Sequence, residues 1–331
     1  MITKKEVALF MQKRIVLLLI FLIVLAFPGT SAANLAPGDF IDIKGSWAEP
    51  EIQTVCRLGL MNGTGTDAQG FKVFAPESLV SRSQLACVLA HTFQLDYGQI
   101  RFIKEPAASD YYRDVDNTAW YAGDVVMCAI NKIFDTMENF YPDSAVSRIE
   151  IARAIQQSFT AKGIMIPMIM SMPIYEDTNG LSQQEMNAMI FVNNTGIMKG
   201  EGTKFRPEDN VTRAELAKNL MRCIELSGVN ENNNGQEYTA VVGQTFVVSL
   251  AGNPSTGYVW HVSKPEDEEV LTQTDAGYIS DSKQIIPGQG GRNYWKFTAL
   301  QAGTTEISMV YARPWESVQP AQTFTLKVIV K

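Results

Sequence analysis

The sequence of 331 residues predicts a multidomain protein, in which an α-helical unit is followed by an all-β sandwich. Three observations predict it. One motif, in which an arginine follows a proline by six residues, recurs three times between residues 40 and 226. A polar segment rich in asparagine and glycine spans 227–236, and beyond it the apolar period changes from helical to two. The formal net charge of −7 argues against a nucleic-acid partner, because phosphate binding requires a basic face.

The N-terminus is predicted to be a secretory signal peptide, residues 1–32. Basic residues at positions 4, 5, 13 and 14 precede an apolar run over 15–27, and small residues follow it. Cleavage is expected after Ala32 or Ala33. A membrane anchor is the alternative interpretation, but the run is shorter than the ~20 residues that a spanning helix needs. The mature chain is therefore expected to be secreted and to lack a membrane span.

The three repeats share landmarks in the same order. Each begins with an aromatic residue two positions before an aspartate, which is Asp42, Asp114 or Asp177, and these aspartates are expected to orient loops. Each repeat then carries a phenylalanine two positions before a proline, and an arginine six residues after that proline. These arginines are Arg82, Arg148 and Arg213.

Each repeat is predicted to form a helix, a loop and a second helix. The first helices are expected over 47–59, 120–133 and 182–195, where apolar residues recur at helical spacing. The second helices are expected to begin at the N-cap residues Ser81, Ser147 and Thr212. Three positions further on stand residues that can complete capping boxes, and these are Gln84, Glu150 and Glu215.

This pattern resembles the S-layer homology domain in three copies, at 33–98, 99–163 and 164–227, and Thr212 to Glu215 is a full copy of its Thr-Arg-Ala-Glu signature. The resemblance implies a trefoil-like helical unit at the cell wall or cell surface. It implies that the grooves between repeats bind secondary cell-wall polysaccharide or peptidoglycan through Arg82, Arg148 and Arg213. A guanidinium can pair with a carboxylate of an acidic polymer through two hydrogen bonds. The alternative is that each arginine only supports the turn between two helices. Sequence differences in the second and third repeats predict grooves that bind unequally.

The four cysteines all fall on predicted helices of the repeats and are Cys56, Cys87, Cys128 and Cys223. A Cys-x-x-Cys motif is absent from the sequence, so no metal site is expected. A disulfide is compatible with export, and buried free thiols are the preferred interpretation.

Beyond a flexible linker predicted at 228–236, apolar residues alternate with polar ones in several short segments. Short strands separated by glycine and proline turns indicate a sandwich of immunoglobulin-like type over 237–331. Few contacts are expected across the linker.

Three sequence motifs fall between predicted strands of this domain. The first runs from Asn253 to Tyr258, where proline and glycine favour a stiff turn with small side chains at its tip. The second is the glycine-rich stretch 288–291, and the third is Arg313-Pro314-Trp315.

The three motifs, in this order, resemble the chagasin family of papain-type cysteine protease inhibitors. The resemblance implies that three loops form a wedge that occludes the protease cleft reversibly, with the first loop over the catalytic cysteine. The implied protease-binding residues are Asn253, Pro254, Ser255, Thr256, Gly257, Tyr258, Gly288, Gly290, Gly291, Arg313, Pro314 and Trp315. The alternative for the third motif is a turn whose tryptophan covers the core.

An enzymatic activity is not expected, and neither is a cofactor. The two histidines, His91 and His261, do not fit a known catalytic signature, and adjacent acids after Pro265 are typical of a solvated loop. Two other functions stay open at this point. One is a surface adhesin whose sandwich binds another protein, and the other is a purely structural envelope protein.

Overall fold

The computed structural model describes residues 39–97, 100–166, 168, 171–264, 267–280, 290–316 and 318–331. The predicted signal peptide and Gly288 lie outside the described residues. Within them, helices occupy the N-terminal part and β-sheets the C-terminal part, as the sequence predicts. None of the helices in these ranges combines the length and the apolar character needed to cross a bilayer.

Each repeat contains two helices, of which the second is the better predicted. The helices are α1 Glu49–Arg57, α2 Arg82–Phe93, α3 Ala122–Ile130, α4 Arg148–Ala161, α5 Gln183–Asn194 and α6 Arg213–Ser227. A short ribbon of β1 Gly65–Thr66 and β2 Lys72–Val73 lies between α1 and α2. The helices α2, α4 and α6 begin directly after the N-caps predicted for them.

The capping boxes at Glu150 and Glu215 form as predicted. The prediction of a capping box at Gln84 is wrong. The backbone N–H of Gln84 donates to Ser81 Oγ at 3.3 Å, whereas Gln84 Oε1 is buried without a hydrogen-bond partner. The hydroxyl of Ser81 contacts that of Ser83 at 3.0 Å. A neutral amide therefore does not replace the glutamate at this cap.

The first helices of the first two repeats are shorter than predicted, because the chain turns into the left-handed region at their C-terminal ends. Gly59 after α1 has a φ of 75°, and Lys132 after α3 has a φ of 55°. The N–H of the next residue then returns to the helix, as Ile133 N–H does to Cys128 O at 2.9 Å. Glycine adopts this conformation without a steric cost, and lysine does not.

A cyclic set of backbone hydrogen bonds connects the three repeats at their centre. Val80 N–H donates to Val211 O, Val211 N–H to Val146 O, and Val146 N–H to Val80 O, at 2.9–3.1 Å. All three valines are completely buried. Because each repeat donates to one neighbour and accepts from the other, no repeat can complete this set alone.

The repeat aspartates orient loops, as predicted. Asp42 accepts hydrogen bonds from the N–H groups of Phe74 and Ala75, and Asp114 and Asp177 do the same in their own repeats. Ala75 has a φ of 59°, and its equivalents in the other repeats are also left-handed. The carboxylate thus helps to hold an unfavourable backbone conformation at the residue just before the proline of each repeat.

The four cysteines are buried and free, as preferred from the sequence. Burial raises the pKa of Cys56 to about 12, against the opposing charge of Arg213. Burial likewise raises the pKa of the other three thiols. The thiols are therefore protonated and act as small apolar groups.

The C-terminal part consists of two sheets with one shared apolar core. Its strands are β3 Gln236–Ala240, β4 Thr245–Gly252, β5 Val259–Lys264, β6 Leu271–Ser280, β7 Gly291–Ala299, β8 Gly303–Ala312 and β9 Gln322–Val330. One sheet has the order β3-β9-β8-β5 and the other β4-β7-β6, and β3 runs parallel to β9 while the other pairs are antiparallel. Val248 and Phe297 from one sheet and Met309 and Phe324 from the other belong to the same buried cluster.

The segment after α6 is not the flexible linker that its composition predicts. Val229 is buried, its N–H donates to Val247 O at 3.1 Å, and its carbonyl accepts from Ser249 N–H at 2.8 Å. Asn234 exchanges hydrogen bonds with Thr323 and Thr325 on β9. The expectation of few contacts across this segment is wrong, because backbone groups of Val229 and the side chain of Asn234 form hydrogen bonds with the sheets.

The helical and β parts also contact each other directly. Tyr294 on β7 is buried among the apolar residues of the helical unit, and Val247 and Ile279 pack against the same cluster. Lys296 Nζ donates to Leu58 O at 2.9 Å, at the C-terminal end of α1. The outer face of β4-β7-β6 is thus covered by the helical unit.

Candidate functional site

Strand register brings the three motifs of the β domain to one end of the two sheets. Gly252 at the end of β4 pairs with Gly291, which in turn pairs with Ser280 of β6. In the other sheet Val259 pairs with Ala312. The turn after Gly252, the stretch at Gly290 and the turn after Ala312 therefore leave the sheets side by side.

The first loop is held rigid by its own side chains. Asn253 Oδ1 accepts from Ser255 N–H at 3.2 Å and from Ser255 Oγ at 2.6 Å, and Asn253 O accepts from Thr256 Oγ1 at 2.6 Å. Pro254–Thr256 form a single 3-10 turn, which ends at Gly257 with a φ of 80°. The tip carries small uncharged side chains, as predicted, and hydrogen bonds within the loop determine its shape.

Three aromatic residues support this loop from below, and the sequence did not predict this arrangement. Tyr311 Oη accepts from Asn253 N–H at 2.7 Å, and Trp260 Nε1 donates to Ala251 O at 2.8 Å. The ring of Tyr311 lies 5.4 Å from that of Tyr258 and 5.1 Å from that of Trp260. Alternation along β8 indicates a strand, but it does not indicate that the hydroxyl of Tyr311 meets a loop that begins 58 residues earlier.

The third loop packs directly on the first. Arg313 Nε donates to Thr256 O at 3.1 Å, and its guanidinium lies 4.6 Å from the centroid of the Tyr258 ring. Arg313 also pairs with Glu316 at 2.8 Å. Arg313 thus connects the two loops within the protein itself.

Trp315 lies against Gly257 and is open to solvent. A Cβ at Gly257 would come within 2.6 Å of the Trp315 ring, so glycine is required here both by this contact and by its positive φ. Trp315 is nevertheless 70% exposed. The alternative that this tryptophan covers the core is therefore wrong, and its free face is available to a partner.

The second motif is only partly described. Gly291 is buried, and a Cβ there would collide with the carbonyl of Ile279 and the ring of Tyr278 on β6. The close approach that this glycine permits is thus within the sheet. Gly290 is half-buried next to it.

The repeat arginines are buried between neighbouring repeats. Arg213 Nε donates to Phe74 O at 2.9 Å and its Nη2 to Asn62 O at 2.5 Å, so the third repeat contacts the first. Arg148 contacts the third repeat in the same way, through Phe205 O and Lys199 O, both at 2.9 Å. Each guanidinium also lies over the phenylalanine whose carbonyl it binds.

Arg82 differs from its two equivalents. Its Nη1 pairs with Glu150 Oε1 at 2.5 Å, and its guanidinium lies 5.2 Å from the Phe134 ring and 5.3 Å from the Phe140 ring. Arg82 Nε is buried without a hydrogen-bond partner. The three arginines are thus not equivalent in their contacts, and unequal binding by the grooves stays a prediction.

Burial separates these arginines from the aromatic residues at the repeat surface. Arg82, Arg148 and Arg213 are at most 8% exposed, whereas Trp120 is 72% exposed. A shallow depression of about 380 Å³ is lined by Asp114, Tyr141, Pro142, Asp143 and Ser144 of the second repeat. The alternative interpretation, in which the arginines support the repeat structure, agrees with these contacts.

The histidines do not form part of a catalytic site in the described residues. His91 Nε2 lies 3.3 Å from Asp124 Oδ1. This hydrogen bond and the charge of Asp124 raise the pKa of His91 against the opposing effect of burial. The nearby thiol of Cys87 is kept protonated by its raised pKa, which burial and Asp124 cause, so it is not a nucleophile. His261 is exposed on β5.

Comparison with known proteins identifies two kinds of domain in this chain. Residues 239–328 match the family described as "Chagasin family peptidase inhibitor I42", and residues 39–86, 111–152 and 174–217 each match the S-layer homology domain. Both resemblances seen in the sequence are thereby confirmed.

The relatives divide in the same way along the chain. Amoebiasin-1 of Entamoeba histolytica is 38% identical over 104 residues, which are 31% of this chain and 98% of that protein. Chagasin of Trypanosoma cruzi is 31% identical over 91 residues, 26% of this chain and 81% of that protein. The surface-layer 125 kDa protein of Lysinibacillus sphaericus is 24% identical over 253 residues, which are 74% of this chain but 19% of that protein.

Proposed function

The chain belongs to the chagasin family of peptidase inhibitors through its C-terminal domain, and on that premise we propose that it is a cell-wall-tethered, reversible inhibitor of papain-type cysteine proteases. The family acts by inhibition and not by catalysis. The S-layer homology repeats imply attachment at the cell wall or cell surface.

The single observation that carries the proposal is the preformed loop cluster at one end of the β domain. Its leading edge, Ser255 to Gly257, offers small side chains and backbone, so it can enter a narrow cleft without a clash. Loops whose shape is already fixed lose little conformational entropy on binding, which favours tight and reversible association.

In the proposed complex the loop from Asn253 to Tyr258 lies over the catalytic cysteine of the protease. Trp315, with Arg313 and Pro314 behind it, packs on an apolar surface at one side of the cleft. The stretch 288–291 covers the other side. Because Arg313 hydrogen-bonds to Thr256 O, it acts on the protease through the shape of the first loop as well as by direct contact.

Titration of the full chain against papain tests this function. Wild-type protein is expected to inhibit at nanomolar to micromolar concentration without being cut at the first loop. Thr256→Arg is expected to abolish inhibition, because a long charged side chain at the tip clashes in the cleft. Thr239→Arg is the matched control, since Thr239 is exposed on β3 away from the loops. Wild-type protein that fails to inhibit, or that is cleaved there as a substrate, would favour an adhesin instead.

For the helical unit we propose a trefoil-like arrangement of three repeats, at 33–98, 99–163 and 164–227, that binds secondary cell-wall polysaccharide or peptidoglycan. The cyclic bonds among Val80, Val146 and Val211 support it. We propose that the polymer binds through Arg82, Arg148 and Arg213. Because these guanidinium groups are buried, such binding requires the repeats to open enough for the ligand to reach them. Sacculi with and without the polysaccharide distinguish the two polymers in a pull-down assay.

For the β domain, 237–331, we propose an immunoglobulin-like sandwich, which the two sheets and their shared core support. The residues 228–236 are then a docked connection between the two units. Export of the chain by a signal peptide at 1–32 completes the proposal.

A further inference from the structure

We propose that Glu231 is a positioning residue for the inhibitory loops, acting from outside the part of the chain that matches the inhibitor family. The match begins at residue 239, whereas Glu231 follows the last repeat. The inference rests on the proposed function, because it concerns how the same loops are held.

The first step concerns the free edge of β4. β4 is an edge strand of its sheet, so every second residue directs its backbone groups away from β7. Val229 occupies Val247 O and Ser249 N–H at this edge. The Glu231 carboxylate accepts the next N–H in the series, that of Ala251. Ala251 stands two residues before Asn253, where the first loop begins.

The second step concerns the neighbouring strand. Arg292 Nη2 donates to Glu231 Oε2 at 3.0 Å and Oε1 at 3.2 Å, and also to Ser249 O at 2.5 Å. Arg292 Nε donates to Ser249 Oγ at 2.9 Å. Arg292 follows Gly290 and Gly291 directly. One carboxylate therefore fixes the strand residues from which two of the three loops leave the sheet.

The electrostatics of the pair agree with this geometry. Burial raises the pKa of Glu231, but hydrogen bonds from the N–H groups of Ala251 and of Glu231 itself, together with Arg292, outweigh burial and leave the pKa below its usual value. The carboxylate is therefore ionised at the neutral pH of an assay. Charge-assisted hydrogen bonds of this kind are stronger than neutral ones, so they hold the two strands in one arrangement.

Full-length variants at this position test the proposal. Glu231→Ala removes both contacts, whereas Glu231→Gln keeps an acceptor for Ala251 N–H and loses the ion pair with Arg292. The matched control is Glu237→Ala, which breaks the exposed ion pair between Glu237 and Lys327 in the other sheet. The inhibition constant for papain is measured at 25 °C, after thermal unfolding has shown that each variant is folded at that temperature.

We expect the inhibition constant to rise about tenfold for Glu231→Ala, and by less for Glu231→Gln. Glu237→Ala is expected to inhibit like the wild type. A merely structural role would leave all folded variants equally inhibitory. An unchanged constant for Glu231→Ala, or an equal rise in the control, would overturn the proposal.

Hydrogen exchange of peptides that span 249–258 adds a measurement that does not depend on a protease. Glu231→Ala is expected to accelerate exchange at Ala251, and Glu237→Ala is not. If wild-type protein leaves papain active, the proposed function fails, while the exchange experiment still decides whether Glu231 holds the strand. Equal exchange in wild type and Glu231→Ala would show that it does not.

Discussion

The loop cluster of the β domain and the arginine clusters of the helical unit use arginine in opposite ways. Arg313 is partly exposed, contacts one loop from another and stands beside an exposed tryptophan. Arg213 is buried, and its donors bind backbone carbonyls of another repeat. The difference teaches that recurrence at a fixed spacing identifies a structural requirement as readily as a ligand site, because each copy of a repeat must make the same contact with its neighbour.

Arg213→Ala is expected to have the largest effect, a loss of about 3 kcal/mol in the free energy of unfolding of the full chain. The change leaves the buried Phe74 O without its donor, and an unsatisfied buried acceptor costs about 1–3 kcal/mol; it also removes the partly buried hydrogen bond to Asn62 O. Urea unfolding followed by circular dichroism measures it. Inhibition of papain by the folded fraction should not change.

Arg82→Ala is the internal comparison for this prediction. Arg82 has one charged partner, which is itself partly exposed, and an Nε that is already unsatisfied. The loss should therefore be smaller than for Arg213→Ala. If Arg213→Ala unfolds like the wild type but no longer binds sacculi, the arginine serves the polymer and our comparison of the two regions is wrong.

Trp315→Ala is expected to weaken binding to the protease with little change in stability, which is the opposite of Arg213→Ala. Because Trp315 is exposed, its loss should change the free energy of unfolding by less than about 0.5 kcal/mol. Binding to papain should weaken by about 2 kcal/mol, as for an aromatic hot-spot residue of an interface. Calorimetry and inhibition kinetics on one preparation test both statements, and a large drop in stability with normal inhibition would contradict them.

Lys296→Ala is expected to lower the free energy of unfolding by about 1 kcal/mol, and it tests whether the two regions behave as one body. The variant removes the hydrogen bond from Lys296 to Leu58 O at the end of α1. Differential scanning calorimetry should show one transition for the wild type, and a lower or divided one for the variant. Lys327→Ala, which breaks the exposed ion pair with Glu237, should leave the transition unchanged.

Limited proteolysis also tests whether the two regions behave as one body. Val229 and Asn234 are hydrogen-bonded to the sheets, so the segment 228–236 should resist cleavage in the folded protein. Rapid cutting there, with release of two folded pieces, would restore the flexible linker that the composition suggests.

The sequence alone determined those features that depend on residues close together in the chain. Ser147 and Thr212 cap their helices through residues three positions away, and alternation along β7 to β9 identifies the strands. The rigid turn from Asn253 to Gly257 follows from its own side chains. Such signals are local, because one helical turn or one strand face contains both partners.

Only the tertiary structure decided where long side chains find their partners. Arg213 and Asn62 are 151 residues apart, and the spacing of the arginines could not reveal that their donors face backbone rather than solvent. The composition of 228–236 gave no indication that Glu231 binds Ala251 and Arg292. A polar side chain satisfies its hydrogen bonds equally well with water or with protein, so its sequence position does not determine which it meets, and the packing of the domains does.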